Sequence, residues 1–326
     1  MTFIDFPRHV PVEAYESAVE RMVKRLVAVP GVQCIYQIGH VSTPGISDID
    51  LLVVMDDGAR IPFDPLTGLS RLDRYLFCHP LFATSLELYA RAKVVTFFHN
   101  YRLFWGAEPN GSRPLVSTDD ISTDDRVALM QQLALEYLLR AFISLSIELA
   151  YGVVKMRNLF LHAKALLYDC DYLAVAKGPF REAVENVVQH RSRWFGARMS
   201  KASLAVDVIE LHKQLETTLQ EKMCGTPFFL PIRATHRLAR HIHFQKSATL
   251  KVARRGVRLP PFFGRCGRTY IRFLNQFNRF EVFFPFENVE IPIVIARSFQ
   301  LRNEMNAWVR QACPKFMPMA QGFGAL

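Results

Sequence analysis

Two aspartates, Asp48 and Asp50, stand two apart in the run Ser47-Asp48-Ile49-Asp50-Leu51-Leu52-Val53-Val54. On a strand, positions i and i+2 share one face, so both carboxylates point one way while Ile49 and Leu51 point the other. Like charges held that close on a rigid element repel unless a cation sits between them. Magnesium suits such a site because it takes a few carboxylates together with substrate phosphate oxygens. The segment before the pair reads Ile38-Gly39-His40-Val41-Ser42-Thr43-Pro44-Gly45-Ile46. An apolar run ends at Gly39, where a glycine lets backbone approach a triphosphate. Backbone amides of the loop that follows can bind phosphate oxygens.

This arrangement resembles the nucleotidyltransferase superfamily, the fold of DNA polymerase beta. The family signature is a strand ending in Gly-Ser or Gly-Gly, a short loop, then Asp-apolar-Asp-apolar. Ser47-Asp48-Ile49-Asp50-Leu51 matches the second half and Gly39 the first. His40 stands where relatives have Ser or Gly, so the resemblance puts the phosphate contact on Ser42 or Thr43, with Gly39, His40 and Ser47 completing the cradle. The likeness rests on residues 32–54 and extends by element order to about residue 118.

The resemblance implies a metal-dependent enzyme that transfers a nucleoside monophosphate from a nucleoside triphosphate to a hydroxyl or phosphate acceptor. Asp48 and Asp50 are the expected ligands of Mg2+ or Mn2+, which bridge the nucleotide phosphates and the attacking group. A third carboxylate from a nearby strand is expected, and Glu87 in Ser85-Leu86-Glu87-Leu88 is the candidate. Asp64 and Asp73 fall in a turn and a helix. Lys164, with Lys155 and Arg157 at the start of a later helix, is the cation expected to reach the triphosphate. An RNA end, a protein side chain, a second nucleotide and a small molecule all stay open as acceptor. Two rival readings are a catalytically inactive relative that binds nucleic acid, and a toxin–antitoxin or phage-defence component.

The elements that must position these residues follow from periodicity. Residues 12–28 carry apolar positions at helical spacing and stop at Pro30-Gly31. Residues 32–38 and 49–55 read as strands, with the loop 39–47 between them. Residues 66–77 read as a helix broken at His79-Pro80, and residues 82–98 as further strands. From Arg126 to Lys222 the pattern fits about four helices. After Gly225, Phe, Arg and short β-branched runs dominate. Residues 290–296 read as a strand and 297–311 as a closing helix. The expected fold is α+β, with a polymerase-beta-like catalytic domain over 1–118, a helical domain over 119–225 and a basic α+β region over 226–326.

The formal net charge is +10, and it is placed unevenly. Residues 1–125 hold 11 Lys/Arg and 16 Asp/Glu; residues 226–326 hold 16 and 4. Chemistry in an acidic first part and an anionic partner for a basic last part is the division this suggests, with RNA as the expected partner. Arg237, Arg240, Lys246, Lys251, Arg254, Arg255 and Arg258 lie in one stretch with His241, His243 and Phe244, a mixture suited to phosphates and stacked bases. His236, His241 and His243 fit no standard zinc spacing. The six cysteines form no C-x-x-C pair and read as reduced thiols of a cytoplasmic protein rather than zinc ligands or disulfides. The longest apolar stretch, 133–154, is interrupted by Glu136, Arg140 and Glu148 and reads as a buried helix, not a membrane span.

Overall fold

In the computed structural model, residues 1–92, 101–109, 122–196, 200–225, 229, 237–284 and 291–320 are described. Among them the chain begins with β1 (Thr2–Ile4), α1 (Val12–Val27), β2 (Val32–Ile38), β3 (Asp50–Met55), α2 (Arg71–Leu76), β4 (Phe82–Ser85), α3 (Leu86–Ala92) and β5 (Tyr101–Gly106). It continues with α4 (Thr123–Tyr151), β6 (Val153–Lys155), α5 (Met156–Tyr172), α6 (Pro179–Arg193) and α7 (Lys201–Gly225). The last elements are β7 (Arg237–Ala239), β8 (Ile242–Lys246), β9 (Lys251–Arg255), α8 (Arg268–Phe277), β10 (Arg279–Phe284), α9 (Ile293–Ala312) and β11 (Met317–Pro318). The mixed α+β class is as expected, and the helical stretch from Arg126 to Lys222 resolves into the four helices α4 to α7.

These elements form two compact units. One comprises residues 8–129 and 292–325; the other comprises residues 1–7 and 130–291. The division differs from three consecutive blocks. Residues 226–291 join the helices, and the final segment returns to the N-terminal sheet. The first residues leave that sheet, because β1 pairs in parallel with β6.

The first unit is built on a five-stranded sheet of order β11-β4-β3-β2-β5. Strand β3 is central. It runs antiparallel to β2 and parallel to β4, and β11 adds in parallel to the other side of β4. One face of β3 presents Ile49, Leu51, Val53 and Met55 to a core shared with Tyr15, Ala18, Val19, Met22, Val23 and Leu26 of α1. The i, i+3, i+4, i+7 spacing in α1 is what lines these side chains up on the sheet. Helix α9 supplies Val309 and Ala312 to the same core, followed by Cys313 and Phe316. Backbone bonds tie the closing segment in place: the Ile61 amide donates to Ala312 O and the Met317 amide to Leu81 O, both at 2.8 Å.

Two segments expected as strands are helical over part of their described length. Ser85 ends β4 and caps the next element, its Oγ accepting from the Leu88 amide at 3.3 Å, so residues 86–92 turn into α3. Residues 93–98 of that expected strand lie outside the described residues. Pro292 begins α9, and Ile293, Val294 and Ile295 enter a helix despite β-branched side chains that favour strands. Ile295, Phe299 and Arg302, spaced for one helical face, are buried there.

The second unit holds α4 to α8 and a four-stranded sheet of order β7-β8-β10-β9. Gln132, Glu136 and Glu148, polar residues of α4, find partners within this unit. Gln132 donates to Glu136 Oε1 at 2.9 Å and exchanges two bonds with the Phe229 backbone. Glu148 accepts from the Lys155 amide at 3.0 Å and pairs with its Nζ at 3.4 Å. No helix among the described residues is long and apolar enough to cross a membrane.

The return of the C-terminal segment has a measurable consequence. Replacing Phe316, buried against the N-terminal core, with Ala should cost about 3–5 kcal/mol, the usual range for a buried phenylalanine. A lowered denaturant midpoint of the unit containing residues 8–129 checks it; an unchanged midpoint would separate the segment from that core.

Candidate active site

The acidic pair sits where β3 begins. Asp50 opens the strand, opposite Ile38 at the end of β2, and Asp48 precedes it by two positions. The parallel register of β3 and β4 pairs Leu52 with Phe82, which carries the residues just before β4 to the level of Asp50. Cys78 and His79 therefore meet the aspartates. His79 Nε2 lies 2.7 Å from Asp50 Oδ1 and 3.8 Å from Asp48 Oδ2. The Cys78 thiol donates to Asp48 Oδ2 at 2.8 Å. His79 Nδ1 lies 2.7 Å from the Pro80 carbonyl; a carbonyl only accepts, so Nδ1 carries the proton and Nε2 faces the carboxylates.

The electrostatics are those of a site short of positive charge. Two like charges roughly 5 Å apart repel by about 3 kcal/mol at an effective dielectric near 20. Burial raises the Asp50 pKa, and the Asp48 charge raises it further, against the opposing pull of His79. Burial would lower the His79 pKa, but the contact with Asp50, its charge, the Pro80 carbonyl and the Asp48 charge outweigh it and carry the imidazole to about 9. The imidazolium thus acts as the cation of the site. The Asp50–His79 contact is close but poorly aligned for a hydrogen bond. Asp50 Oδ1 is shut away from solvent and accepts no well-aligned hydrogen bond among the described residues, with His79 Nε2 at 2.7 Å as its nearby cation. A carboxylate oxygen in that condition fits a divalent cation, and two aspartates are as many protein ligands as magnesium commonly needs beside a phosphate.

The loop leading into the pair is held from below. Gly39 ends β2 with φ +70°, a backbone state that suits glycine and turns the chain out of the sheet. The Ile46 and Ser47 amides return to Thr43 O at 3.0 and 2.9 Å, and Ser47 Oγ accepts from the Thr43 amide at 3.2 Å. Two tyrosines brace this turn from α1 and α2. Tyr15 OH donates to Ser47 O at 2.7 Å and accepts from the buried Gly45 amide at 2.8 Å. Tyr75 OH donates to Gly45 O and accepts from the Arg8 amide at 3.0 Å.

The other expected site residues fall as follows. His40 and Ser42 are exposed on the loop and Thr43 is half-buried. Ser47 is buried, and its hydroxyl closes the turn instead of pointing to a phosphate. Glu87 does not join the pair. Ser85 sits beside Met55, five residues along β3 from Asp50, which at about 3.3 Å per residue is roughly 16 Å away. Glu87 follows at the N-terminus of α3, exposed and 3.9 Å from Arg91. Lys164 belongs to the other unit, on α5, where burial and the Arg191 charge lower its pKa. Lys155 is the partner of Glu148.

By sequence, His79-Pro80 reads as a helix breaker, and neither Cys78 nor His79 declares itself as a neighbour of the acidic pair. A strand parallel to β3 must start near the level of Asp50, and whatever precedes it becomes a neighbour of the acidic pair. Compared with known proteins, the chain matches no family model, no curated protein and no solved structure.

The bracing tyrosine is testable. Tyr15→Phe removes the acceptor of the buried Gly45 amide and should cost about 1–3 kcal/mol, the desolvation penalty of an unmatched donor. Chemical denaturation measures the loss; an unchanged stability would show that the Gly45 amide finds another partner.

Proposed function

We propose that the chain is a metal-dependent nucleotidyltransferase acting at Asp48 and Asp50. The observation that carries this reading is the meeting of both carboxylates on one imidazole, at the mouth of the central strand and directly after the Gly39 turn. The sheet supports it: a helix-backed strand ending in glycine runs antiparallel to the strand that opens with the pair. Asp48 and Asp50 would hold Mg2+ or Mn2+, which supplies charge neutralisation for the triphosphate and the attacking oxygen. The remaining work falls to the protein. The two aspartates would hold the ion at the strand entrance, and the exposed His40 and Ser42 face the solvent side of the loop. His79 keeps Asp50 neutralised until substrate arrives. With Glu87 remote, no third acid is assigned, and the Asp pair carries the site.

A second reading concerns nucleic acid and rests on exposed cations in the other unit. Arg240, Lys246, Lys251 and Arg258 are exposed around β7 to β9, and Arg255 is 75% exposed while paired with Glu281 at 3.1 Å. Phe244 is core and cannot stack on a base. Arg254 is structural: its Nε donates to Asn278 Oδ1 at 2.8 Å, its other nitrogens to Ala150 O and Val257 O, and its guanidinium lies 5.0 Å from the Tyr151 ring centre. The side chain of Arg237 lies outside the described residues. This surface favours an RNA partner, whether as acceptor of the transfer or as ligand of an inactive relative.

Two outcomes test these readings. Asp48→Asn and Asp50→Asn should each abolish metal-dependent incorporation of label from α-labelled nucleoside triphosphates into cellular RNA, protein or small molecules. Asp48→Asn should leave the melting temperature unchanged or raised in the absence of metal, because it relieves repulsion. Full turnover in both variants would remove the assignment. For the basic surface, joint replacement of Lys246, Lys251 and Arg258 with Gln should weaken RNA binding and flatten its salt dependence, since fewer counterions are released. Arg254→Gln should instead lower stability. RNA binding that ignores salt, or no binding at low salt, would rule the surface out.

A further inference from the structure

The side chains gathered at Asp48 include a sulfur and an imidazole nitrogen, and neither belongs to an oxygen-only magnesium site. A carboxylate oxygen of Asp48, Cys78 Sγ and a ring nitrogen of His79 all lie within 4.8 Å of one another. In a tetrahedral zinc site with the usual bond lengths, ligand atoms stand about 3.3–3.5 Å apart. The Sγ–Oδ2 and Nε2–Oδ2 separations, 2.8 and 3.8 Å, fall on either side of that spacing, and the sulfur and the imidazole lie within 4.8 Å of each other, so modest side-chain adjustments bring the three donors to a common centre.

The backbone supports such a set. Cys78 and His79 are consecutive, and the stretch carrying them leads into β4, which is paired along β3 from Leu52 to Met55. The imidazole is already oriented. Its Nδ1–H is bound by the Pro80 carbonyl, the arrangement typical of a metal-ligating histidine, and Nε2 is left facing the carboxylates. Asp50, 2.7 Å from Nε2, places a further buried carboxylate oxygen beside the same point. Thiolate, imidazole and carboxylate together match zinc, whereas magnesium and calcium avoid sulfur.

We infer that Asp48, Cys78 and His79 form a zinc site with three protein ligands and one open coordination position. On binding, the Cys78 thiol and the Nε2–H of the His79 imidazolium each give a proton to solvent, and the thiolate and the neutral imidazole enter the coordination shell. An open fourth position is the mark of a catalytic rather than a purely structural zinc. The scattered cysteines of the sequence conceal this site because two ligands come from one strand entrance and the third from another. The inference rests on the donor set and not on the transferase reading.

The test uses the full chain, stripped with chelator and titrated with Zn2+, with Mg2+ and with Co2+ as an optical substitute. The expected result is one equivalent of zinc, and a cobalt form with a sulfur-to-metal charge-transfer band. Cys78→Ser should abolish that band and weaken zinc at least tenfold. His79→Gln should weaken zinc similarly while keeping the band, and Cys266→Ser, at another exposed cysteine, should change neither. Circular dichroism checks that each variant is folded, and His79→Gln carries the test if Cys78→Ser is not. A band that survives Cys78→Ser, zinc affinity indifferent to Cys78 and His79, or no stoichiometric zinc would overturn the inference. Zinc bound without nucleotidyl transfer defeats the transferase reading alone. Magnesium-dependent transfer by a protein that binds no zinc defeats this inference alone.

Discussion

The repulsion between Asp48 and Asp50 is the constraint around which the N-terminal sheet is arranged. Strand β3 is buried along its length, so the pair at its entrance cannot retreat into solvent by moving the strand. The charge must be met where it stands. The fold meets it by aligning β4 parallel to β3, which delivers His79 to the carboxylates and leaves Asp50 Oδ1 buried beside it. An imidazole held at a pKa of about 9 is a modest cation, and it occupies a position that a divalent ion would fill with far greater effect.

The loop before the pair shows the same economy. Gly39 turns the chain out of β2, and residues 43–47 fold back on themselves through the Thr43 carbonyl and the Ser47 hydroxyl. Tyr15 and Tyr75 reach this turn from two helices, and each spends its hydroxyl on the backbone around Gly45. Such bracing places Asp48 before any ligand arrives. Preorganised charge of this kind does not have to be reordered when a cation binds, and that is where fixed carboxylates gain over flexible ones.

The basic residues of the last third divide between structure and surface. Arg254 fills a carbonyl-rich position over Tyr151, and Arg268 pairs with Asp5 at 2.8 Å, so neither is a spare charge. The exposed cations around β7 to β9 are the ones whose charge reaches solvent. Counting arginines therefore overstates the charge that reaches solvent.

Much of the first unit was legible in the sequence. The spacing in α1, the apolar run of β2 and the Asp-Ile-Asp entrance to β3 are local patterns, and local patterns declare themselves through period and punctuation. Glu87 shows the limit. Its place in the chain made it a plausible third acid, but Ser85 caps a helix and the parallel register sends residue 87 to the far end of the sheet. Cys78 and His79 have no local signature as site residues, because only pairing of β4 with β3 turns a helix-breaking dipeptide into a neighbour of Asp50. The return of α9 and β11 to the N-terminal sheet was equally invisible, since β-branched residues after a proline suit strand or helix until a buried face chooses. The sequence by itself determined which residues could carry charge at one point. The register of one parallel strand pair, a long-range contact with no local signature, decided which of them meet there.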